Sequence, residues 1–402
     1  MSTLSHFPVL NGVAHLPHLG VIRALGEDAA NFLHNQLTQD VLLMKAEQCH
    51  LGAFCNAKGR MQASFVYCKP SPEEVLLVCR RDLIAQTVKR LSMFVLRAKV
   101  KLTDATADFH LLGLVGNSLE SLVTKISQEA GAHTSPQELS TTQQAWRCIP
   151  WESAQAHVLT LYPAMGQPRA LMLASSAPDL SQYPTLDPGH WQLGEVMSGI
   201  AWVELAHTSP QVLSTTQQAW RCIPWESAQA HVLTLYPAMG QPRALMLASS
   251  APDLSQYPVL DPAHWQLGEV MSGIAWVELA TFEAFVPQML NYESVDGVNF
   301  KKGCYPGQEV VARSQFRGTL KRRAYVVQSA GAITAGQEIF TSDATDQPCG
   351  LVAQVATVND QTYAVVELQT SVVDENKLLH VGTTAGPQLH VLPLPYALKD
   401  DI

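Results

Sequence analysis

The sequence predicts an α+β protein whose carboxyl-terminal unit is all-β, and three observations support this class. The 402 residues are 47% hydrophobic and only 15% charged, so the chain can bury a sizeable core. Helical and strand-like patterns alternate in the amino-terminal part. From Ala324 onward, only short strand-like runs separated by Gly and Pro follow. This order predicts at least two structural units, the last of them a small β-barrel.

The amino-terminal part is predicted to open with a strand and a helix. Residues 21–25 predict a short strand. Residues 26–28 then place two acidic side chains in the first turn of a helix, where the helix dipole favours them. Ala29, Leu33 and Leu37 recur at four-residue spacing and give this helix one apolar face.

Further elements follow along the chain. Residues 64–68 and 74–79 predict two paired strands. Asp82 is the predicted N-cap of a second helix, and residues 99–102 predict a return to strand. The apolar stripe predicted for the second helix consists of Ile84, Val88, Leu91 and Val95. The clearest predicted strands of the carboxyl-terminal unit are residues 324–328, 351–355 and 363–368.

Composition and charge exclude several classes of protein. No run of about 18 apolar residues occurs, so no membrane-spanning helix is predicted. Residues 1–19 lack a basic patch followed by an apolar block, which argues against a secretory signal and for the cytosol. The formal charge of −9 excludes a generally basic protein that coats nucleic acid.

The cysteines predict neither a disulfide framework nor a zinc site. Eight are spread along the chain, and none forms a C-x-x-C pair. Without an export signal, this distribution is not typical of disulfide-stabilised or zinc-binding proteins. We therefore expect most of them to be small buried apolar side chains.

The chain contains a long internal repeat. Residues 133–206 are followed at once by residues 207–280, which repeat the same 74 residues with three changes. Two copies with 71 of 74 identical positions do not make a solenoid, whose repeats are more numerous and more divergent. A recent duplication and an artefact of the sequence record both remain open as explanations. Removing one copy leaves 402 − 74 = 328 residues, a plausible parent protein.

Each copy of the repeat carries two strand-like runs and one amphipathic segment. In the first copy these are residues 157–162, 168–174 and 190–199, and in the second copy residues 231–236, 242–248 and 264–273. One parent domain has room for one such set. The other set is expected to pack as an appendage, to replace its twin, or to pair with another molecule.

Residues 301–323 carry a charge that is unusual for this chain. Seven cations and one anion, Glu309, give a local charge of +6 in a protein of −9. Two interpretations remain open: a site for a carboxylate, a phosphate or an RNA backbone, or a solvated linker facing the acidic remainder. Cys304 lies among these cations and between Gly303 and Gly307. Nearby positive charge favours the thiolate and glycines permit a tight turn, so Cys304 is the candidate functional thiol.

The string K-G-C-Y-x-G-Q-E followed by x-x-x-R, at residues 302–313, resembles the signature of the YgfZ family. These folate-binding proteins are relatives of the glycine-cleavage aminomethyltransferase. Residues 20–41 resemble the amino-terminal block of the family, and residues 56–60 resemble its K-G-R turn. Pro287, Gln288 and Asn291, just before the motif, also fit the family, as do residues 392–396. The resemblance covers the chain apart from one copy of the repeat.

The resemblance implies a three-lobed, aminomethyltransferase-like ring around a central folate channel, with a carboxyl-terminal β-barrel and one lobe carrying the duplicated segment. The expected parts are a folate-binding α+β lobe at 1–105, a second α+β lobe with the repeat at 106–280, the Cys304 segment returning to the channel at 281–323, and the barrel at 324–402.

The resemblance also implies a cofactor, tetrahydrofolate or a derivative, and residues that bind it. In the family, a tryptophan in the helical segment before the motif contacts folate. The matching residue is Trp265 in the second copy or Trp191 in the first. We favour Trp265, because its copy runs directly into the Cys304 segment and a flat aromatic ring can stack on a pterin. An ordinary core tryptophan is the alternative interpretation.

The remaining implied cofactor-binding residues lie in the motif: Lys302, Gly303, Tyr305, Gly307, Gln308, Glu309 and Arg313. The cations Lys301, Lys302, Arg313 and Arg317 are candidates to hold the glutamate tail of folate. Gln308 and Glu309 are expected to orient the loop or to bond the pterin. Lys58 and Arg60 either line the same channel or form surface ion pairs. No metal ligands are predicted.

The function implied by the resemblance is a folate-binding accessory protein of the cytoplasm that supports iron–sulfur enzyme maintenance and tRNA modification. Its implied partners are folate, iron–sulfur proteins or their assembly machinery, and tRNA indirectly through modifying enzymes, with no membrane partner. Cys304 would handle sulfur, persulfide or iron transiently, because a stable cluster usually needs four ligands.

Two other functions remain open. A tetrahydrofolate-dependent aminomethyl transferase would place a carboxylate beside the folate, whereas Met271 stands where the relatives carry Glu. A pure RNA-binding module is disfavoured by the acidic total charge and by the lack of a recognisable RNA-binding motif. Whether the protein is an enzyme is left open by the sequence.

Overall fold

A computed structural model shows an α+β fold, as the sequence predicts. The structure describes residues 11–46, 48–115, 118, 148–151, 156–164, 167–174, 219–238, 241–316, 320–343 and 347–399. By compactness the chain divides into one unit of Met1–Ala130 with Gln218–Ile402 and a second unit of Gly131–Gln217. No helix among the described residues is long and apolar enough to cross a membrane.

The described strands are numbered in chain order. They are β1 Gly12–His15, β2 Leu19–Leu25, β3 Cys49–Cys55, β4 Met61–Ser71, β5 Glu74–Arg80, β6 Lys101–Asp104, β7 His110–Val115, β8 Cys148–Trp151, β9 Ala156–Ala164, β10 Gln167–Ala174, β11 Cys222–Trp225, β12 Ala230–Ala238, β13 Gln241–Ala248, β14 Arg322–Ser329, β15 Glu338–Thr341, β16 Gly350–Val358, β17 Gln361–Gln369, β18 Leu379–Val381 and β19 Gln388–Leu392. The described α-helices are α1 Ala29–His34, α2 Ile84–Ser92, α3 Pro262–Met271, α4 Gln308–Phe316 and α5 Thr370–Asp374.

The amino-terminal lobe is a five-stranded antiparallel sheet in the order β3-β4-β5-β2-β6. The predicted strands at 64–68 and 74–79 are confirmed as a pair, with Val66 opposite Val78. The predicted first helix forms as α1 and buries Phe32 and Leu33. It begins only at Ala29, however, without an acidic residue in its first turn, and it ends at His34, so the prediction that Leu37 belongs to its apolar face is wrong. The apolar runs therefore predict the paired strands of this lobe and the presence of α1, but not the exact bounds of the helix.

The prediction for the start of the second helix is wrong. Residues Arg81–Leu83 form a 3₁₀ turn, and α2 begins after Leu83 without a side-chain cap, so Asp82 is not its N-cap. The helix also ends at Ser92, which leaves Val95 in the single turns that follow it. In a 3₁₀ turn, backbone N–H groups donate to the carbonyl oxygen three residues earlier, so no side-chain cap is required there.

The second lobe contains the second copy of the repeat. Its strands lie in a five-stranded sheet of order β1-β7-β13-β12-β11, in which Leu245 of β13 is paired with Gly113 of β7. The predicted segment 264–273 forms a helix, α3, but residues 267–271 are all buried, so it does not have the expected amphipathic character. Proline at its first turn and an Asp261 carboxylate that accepts from the Ala263 N–H at 2.7 Å favour the helix start.

The described strands of the first copy form a sheet of their own, of order β10-β9-β8. Leu171 is paired with Leu159 in this sheet, as Leu245 is paired with Leu233 in the second copy. The two hairpins thus have the same register, as expected from the same sequence. The amphipathic segment predicted at 190–199 lies outside the described residues.

The carboxyl-terminal unit is a closed antiparallel barrel of order β14-β17-β16-β15-β18-β19, which confirms the predicted β-barrel. Its interior is packed with aliphatic side chains, among them Val327, Ile339 and Val366. Closure pairs each of these six strands on both sides.

Candidate functional site

The Cys304 segment is fixed by a buried lysine. Lys302 is 8% exposed, and its Nζ donates to the carbonyl oxygens of His34 at 2.5 Å and Leu37 at 3.0 Å. The ammonium also lies 4.7 Å from the ring centroid of Tyr305. Burial lowers the pKa of the Lys302 ammonium to about 8, and the nearby Asp40 and Cys304 oppose that shift. Lys302 therefore ties the loop to the end of α1.

Cys304 is exposed, whereas each of the other cysteines whose burial the structure describes is buried. Its neighbour Gly303 is exposed, and Tyr305 on the other side is 6% exposed. The Tyr305 hydroxyl is buried without a hydrogen-bond partner among the described residues, and burial raises the pKa of this phenol. A thiol between two anchored side chains is presented to solvent in a defined place.

The turn after Cys304 packs against the K-G-R turn at 56–60. Gly307 has a φ of 81°, and a Cβ added there would lie 2.4 Å from the Asn56 carbonyl oxygen. Only glycine is compatible with both this conformation and this approach. The Arg60 guanidinium donates to the Ala284 carbonyl at 2.5 Å, and so it joins the turn to the segment before the motif.

The other motif residues lie on or beside α4. Gln308 is half-buried at the start of the helix, and Glu309 and Arg313 form an exposed ion pair at 2.8 Å. Lys301 and Lys58 are exposed. Arg317 lies outside the described residues. The structure thus brings the motif together around an exposed thiol, and its roles towards folate stay predictions.

A small cavity lies elsewhere, at the meeting of the amino-terminal lobe and the second copy of the repeat. Its volume is about 20 Å³, and its lining residues are Leu51, Val66, Trp220, Leu235, Tyr236, Arg243, Ser272, Ile274, Ala275, Trp276 and Tyr292. This space holds about one water molecule. The lining is mainly aromatic and aliphatic, with Arg243 as its one charged side chain among the described residues.

Arg243 is buried in this cavity with few partners. It is 3% exposed, and its Nε has no hydrogen-bond partner among the described residues. Its Nη1 makes one long bond, 3.4 Å, to the Tyr236 carbonyl, and its guanidinium carbon lies 4.8 Å from the ring centroid of Trp265. Burial lowers the pKa of Arg243 to about 10, which still leaves it charged at neutral pH.

A buried carboxylate, Glu269, organises the wall of the cavity. Its Oε1 accepts from the indole N–H groups of Trp265 and Trp276, each at 3.1 Å. Its Oε2 accepts from Gln354 of the barrel at 3.1 Å. Burial raises the pKa of the Glu269 carboxyl, but the neighbouring His18 and Arg243 outweigh this effect, and the pKa lies below its ordinary 4.5. This anion therefore holds two tryptophans and the barrel in place.

The two predicted folate tryptophans have different outcomes. Trp191 lies outside the described residues. Trp265 is fully buried, and its ring covers Gly113, where an added Cβ would lie 2.4 Å from the indole. It does not line the cavity but contacts Arg243, which does. Direct stacking of Trp265 on a pterin stays a prediction.

Sequence reasoning missed the residues that build the cavity: Trp220, Tyr236, Arg243, Glu269 and Trp276. A signal was present for two of them. Arg243 directly precedes the apolar run 244–248 of β13, and Glu269 lies among apolar residues in the second half of α3. Ionisable side chains inside apolar runs are expensive to bury and often mark functional sites.

The amino-terminal part matches a known domain family, and nearly the whole chain matches curated proteins. Residues 10–148 match the GCVT N-terminal domain. The tRNA-modifying protein YgfZ of Photobacterium profundum is 25% identical over 394 residues, covering 96% of this chain and 92% of that protein. YgfZ of Sodalis glossinidius is 24% identical over 403 residues, covering 98% of this chain and 95% of that protein. YgfZ of Serratia proteamaculans is 33% identical over 144 residues, 35% of this chain and 44% of that protein.

The fold is similar to that of a solved enzyme. The glycine cleavage system aminomethyltransferase T from Bartonella henselae superposes with a TM-score of 0.55 at 12% identity, covering 96% of this chain and 86% of that one. At this identity the likeness concerns the fold alone. The expected aminomethyltransferase-like α+β fold and the resemblance to the YgfZ family are both confirmed.

Proposed function

We propose that this chain is a folate-binding accessory protein of tRNA modification, since it aligns with YgfZ proteins over nearly its whole length. The proposed cofactor is tetrahydrofolate or a derivative, which would supply a carrier of one-carbon units. The proposed place of its pterin is the cavity around Arg243.

The under-partnered guanidinium of Arg243 is the observation that carries this proposal. A buried guanidinium whose Nε lacks an acceptor among the described residues and whose Nη1 makes only one long hydrogen bond is costly, and a ligand that offers a carbonyl or carboxylate oxygen relieves the cost. Folate offers both, and the rings of Trp220, Tyr236 and Trp276 suit its flat pterin. The residues present therefore fit the cofactor by their chemistry.

The size of the cavity sets a condition on binding. A space of about 20 Å³ does not hold a pterin, so lining side chains move when the cofactor enters. Trp220 and Tyr236 are half-buried, whereas Arg243, Trp276 and Tyr292 are buried. We expect the first two to move and the other three to stay in place.

The exposed thiol supports a role in iron–sulfur maintenance. Cys304 is presented to solvent by the anchored Lys302 and Tyr305, in the segment that resembles the family signature. One cysteine does not hold a stable cluster, so a partner completes any site for sulfur or iron. Iron–sulfur proteins or their assembly machinery are the proposed partners.

The lining of the cavity favours an accessory protein over an aminomethyl transferase. Such a transferase needs a carboxylate that can steer the amine and its proton. Among the described residues, no Asp or Glu lines the cavity. Glu269 stands behind it, with both oxygens occupied by N–H donors.

Calorimetric titration of tetrahydrofolate into the full-length protein tests the proposal, with Arg243→Met as the variant. The repeat offers a matched control, Arg169→Met, which removes the identical residue of the first copy. We expect at least about a tenfold loss of affinity in Arg243→Met, because a hydrogen bond to a charged group contributes roughly 1.5–3 kcal/mol. Arg169→Met should bind as the unchanged protein does.

Two results would contradict the proposal. The unchanged protein could show no binding of tetrahydrofolate, or Arg243→Met could bind as tightly as its control. Far-UV circular dichroism of both variants separates lost binding from lost folding.

A further inference from the structure

A second cavity lies in the amino-terminal lobe, beside α2. Its volume is about 230 Å³, and its lining residues are Phe54, Gln62, Gln86, Thr87, Arg90, Phe282 and Glu283. It shares no lining residue with the cavity around Arg243. Pockets for drug-sized ligands span about 300–1,000 Å³, so this one suits a smaller molecule.

Two amide atoms at this cavity lack hydrogen bonds. Gln62 is 4% exposed, and its Oε1 is buried without a partner among the described residues. The Nε2 of Gln86 is buried and likewise without a partner in that part of the chain. Unpaired buried polar atoms are costly, so the arrangement calls for a ligand. One atom needs a donor and the other an acceptor, and the ligand must offer both.

The unpartnered oxygen of Gln62 is held in a fixed orientation. The Nε2 of the same amide donates to Glu283 Oε1 at 2.6 Å. Glu283 in turn has a left-handed backbone, with a φ of 58°, and its N–H donates to the Met61 carbonyl at 2.9 Å. Strained backbone of this kind tends to occur at binding sites. Hydrogen bonds from Asn56 and Gln62 lower the pKa of the Glu283 carboxyl, which is therefore an acceptor at neutral pH.

The remaining lining residues define the shape and charge of the ligand. Phe54 is buried and Phe282 is half-buried, and both supply apolar ring surface. Arg90 is exposed and supplies a cation, which acts on the Glu283 carboxylate of the same lining and is free to contact solvent. A flat ring with polar edges fits phenyl surface and amides, and an attached phosphate fits a guanidinium.

We propose that this cavity binds the nucleobase of a nucleotide. An N–H on the edge of the base donates to Gln62 Oε1. A ring nitrogen or carbonyl oxygen of the base accepts a hydrogen bond from Gln86 Nε2. The phosphate lies within reach of Arg90. This site is independent of the proposed folate site, and either can exist without the other.

The test is calorimetric titration of the four ribonucleoside 5′-monophosphates into the full-length protein. Gln86→Leu keeps the size of the side chain and removes the donor, and Gln86→Glu replaces the donor by an acceptor. We expect affinity for the preferred nucleotide to fall about tenfold or more in both variants. Arg90→Met should also weaken binding, whereas Lys89→Met, its exposed neighbour that does not line the cavity, should not.

Three results would overturn the proposal. The first is that no monophosphate binds at millimolar concentration. The second is that the Gln86 variants bind the nucleotide as tightly as the unchanged protein. The third is that no nucleotide binds and Gln86→Leu loses tetrahydrofolate binding instead. The last would identify a pterin as the occupant. Equal loss in Lys89→Met and Arg90→Met would contradict the placement of the phosphate beside Arg90. Thermal unfolding of each variant shows whether it is folded.

Discussion

The two copies of the repeat have nearly the same sequence and different surroundings. In the second copy, β13 pairs with β7, and β7 pairs with β1, so the hairpin lies inside a five-stranded sheet. In the first copy, the described strands pair with one another in a three-stranded sheet. The register within the two hairpins is the same. The repeat sequence therefore specifies the hairpin, and the rest of the chain specifies its neighbours.

The candidate cavity depends on those neighbours. Arg243 and Glu269 have identical counterparts in the first copy, Arg169 and Glu195. Around the second copy, however, Val66 of the amino-terminal lobe completes the cavity lining and Gln354 of the barrel bonds to Glu269. A site is thus made by a repeat together with its surroundings, and identical substitutions in the two copies should have unequal effects.

The largest difference is expected for the tryptophan of α3. Trp265→Ala removes a fully buried ring that covers Gly113 and bonds to Glu269, so we expect a loss of about 3–5 kcal/mol in the free energy of unfolding. Because the described strands of the first copy pair with one another and not with the five-stranded sheet, we expect Trp191→Ala to cost less. Urea unfolding of both variants, followed by circular dichroism, measures the difference. Equal losses would show that the two copies are equally integrated, and the comparison would fail.

A smaller difference is expected for the carboxylate. In Glu269→Gln, the amide oxygen can still accept from the indole groups, but the amide NH₂ then faces the Gln354 donor. The substitution also removes the negative charge beside His18 and Arg243. We expect a loss of about 1–3 kcal/mol at neutral pH. Glu195→Gln is the matched control and should change the free energy of unfolding less.

The stabilising effect of Glu269 is also expected to depend on pH. The pKa of Glu269 in the folded protein lies below its ordinary 4.5, so its contribution to stability is present above that value and is lost as the pH falls through the folded pKa. The gap in unfolding free energy between the unchanged protein and Glu269→Gln should therefore narrow below about pH 4.5. A gap that stays constant on acidification would mean that the charge of Glu269 does not stabilise the fold.

Much of the fold follows from sequence patterns, because local periodicity decides it. The apolar face of α1, the β4–β5 pair and the strands of the barrel are examples. The start of α2 was predicted wrongly, since a 3₁₀ turn replaces the capping side chain there.

The candidate site could be predicted only in part. The motif around Cys304 is contiguous, so its resemblance is visible in the sequence. The cavity joins Val66, Arg243 and Trp276, which are far apart along the chain, and no local pattern indicates that they meet. Two nearly identical copies add a further ambiguity, because the sequence of a copy does not state which neighbours it has.

The smallest effect is expected when one copy is deleted. Deletion of 133–206 and deletion of 207–280 both leave 328 residues, and the two products differ only at the three positions that distinguish the copies. The first product carries Val259 and Ala263, and the second carries Thr185 and Gly189 in their places. Since a single set of elements completes the five-stranded sheet, we expect both products to fold and to bind tetrahydrofolate alike. Insolubility of both would show that the fold requires the extra copy.

A fine difference between the two products should remain, and its cause is local. Val259 is 89% exposed, so threonine there should change little. Ala263 lies in the first turn of α3, where glycine costs about 0.5–1 kcal/mol relative to alanine. The product of deleting 207–280 should therefore unfold at a slightly lower urea concentration, and Gly189→Ala in that product should restore most of the difference. If it does not, the remaining difference in urea midpoint comes from Glu138 in one product and Val212 in the other, two residues outside the described part of the chain.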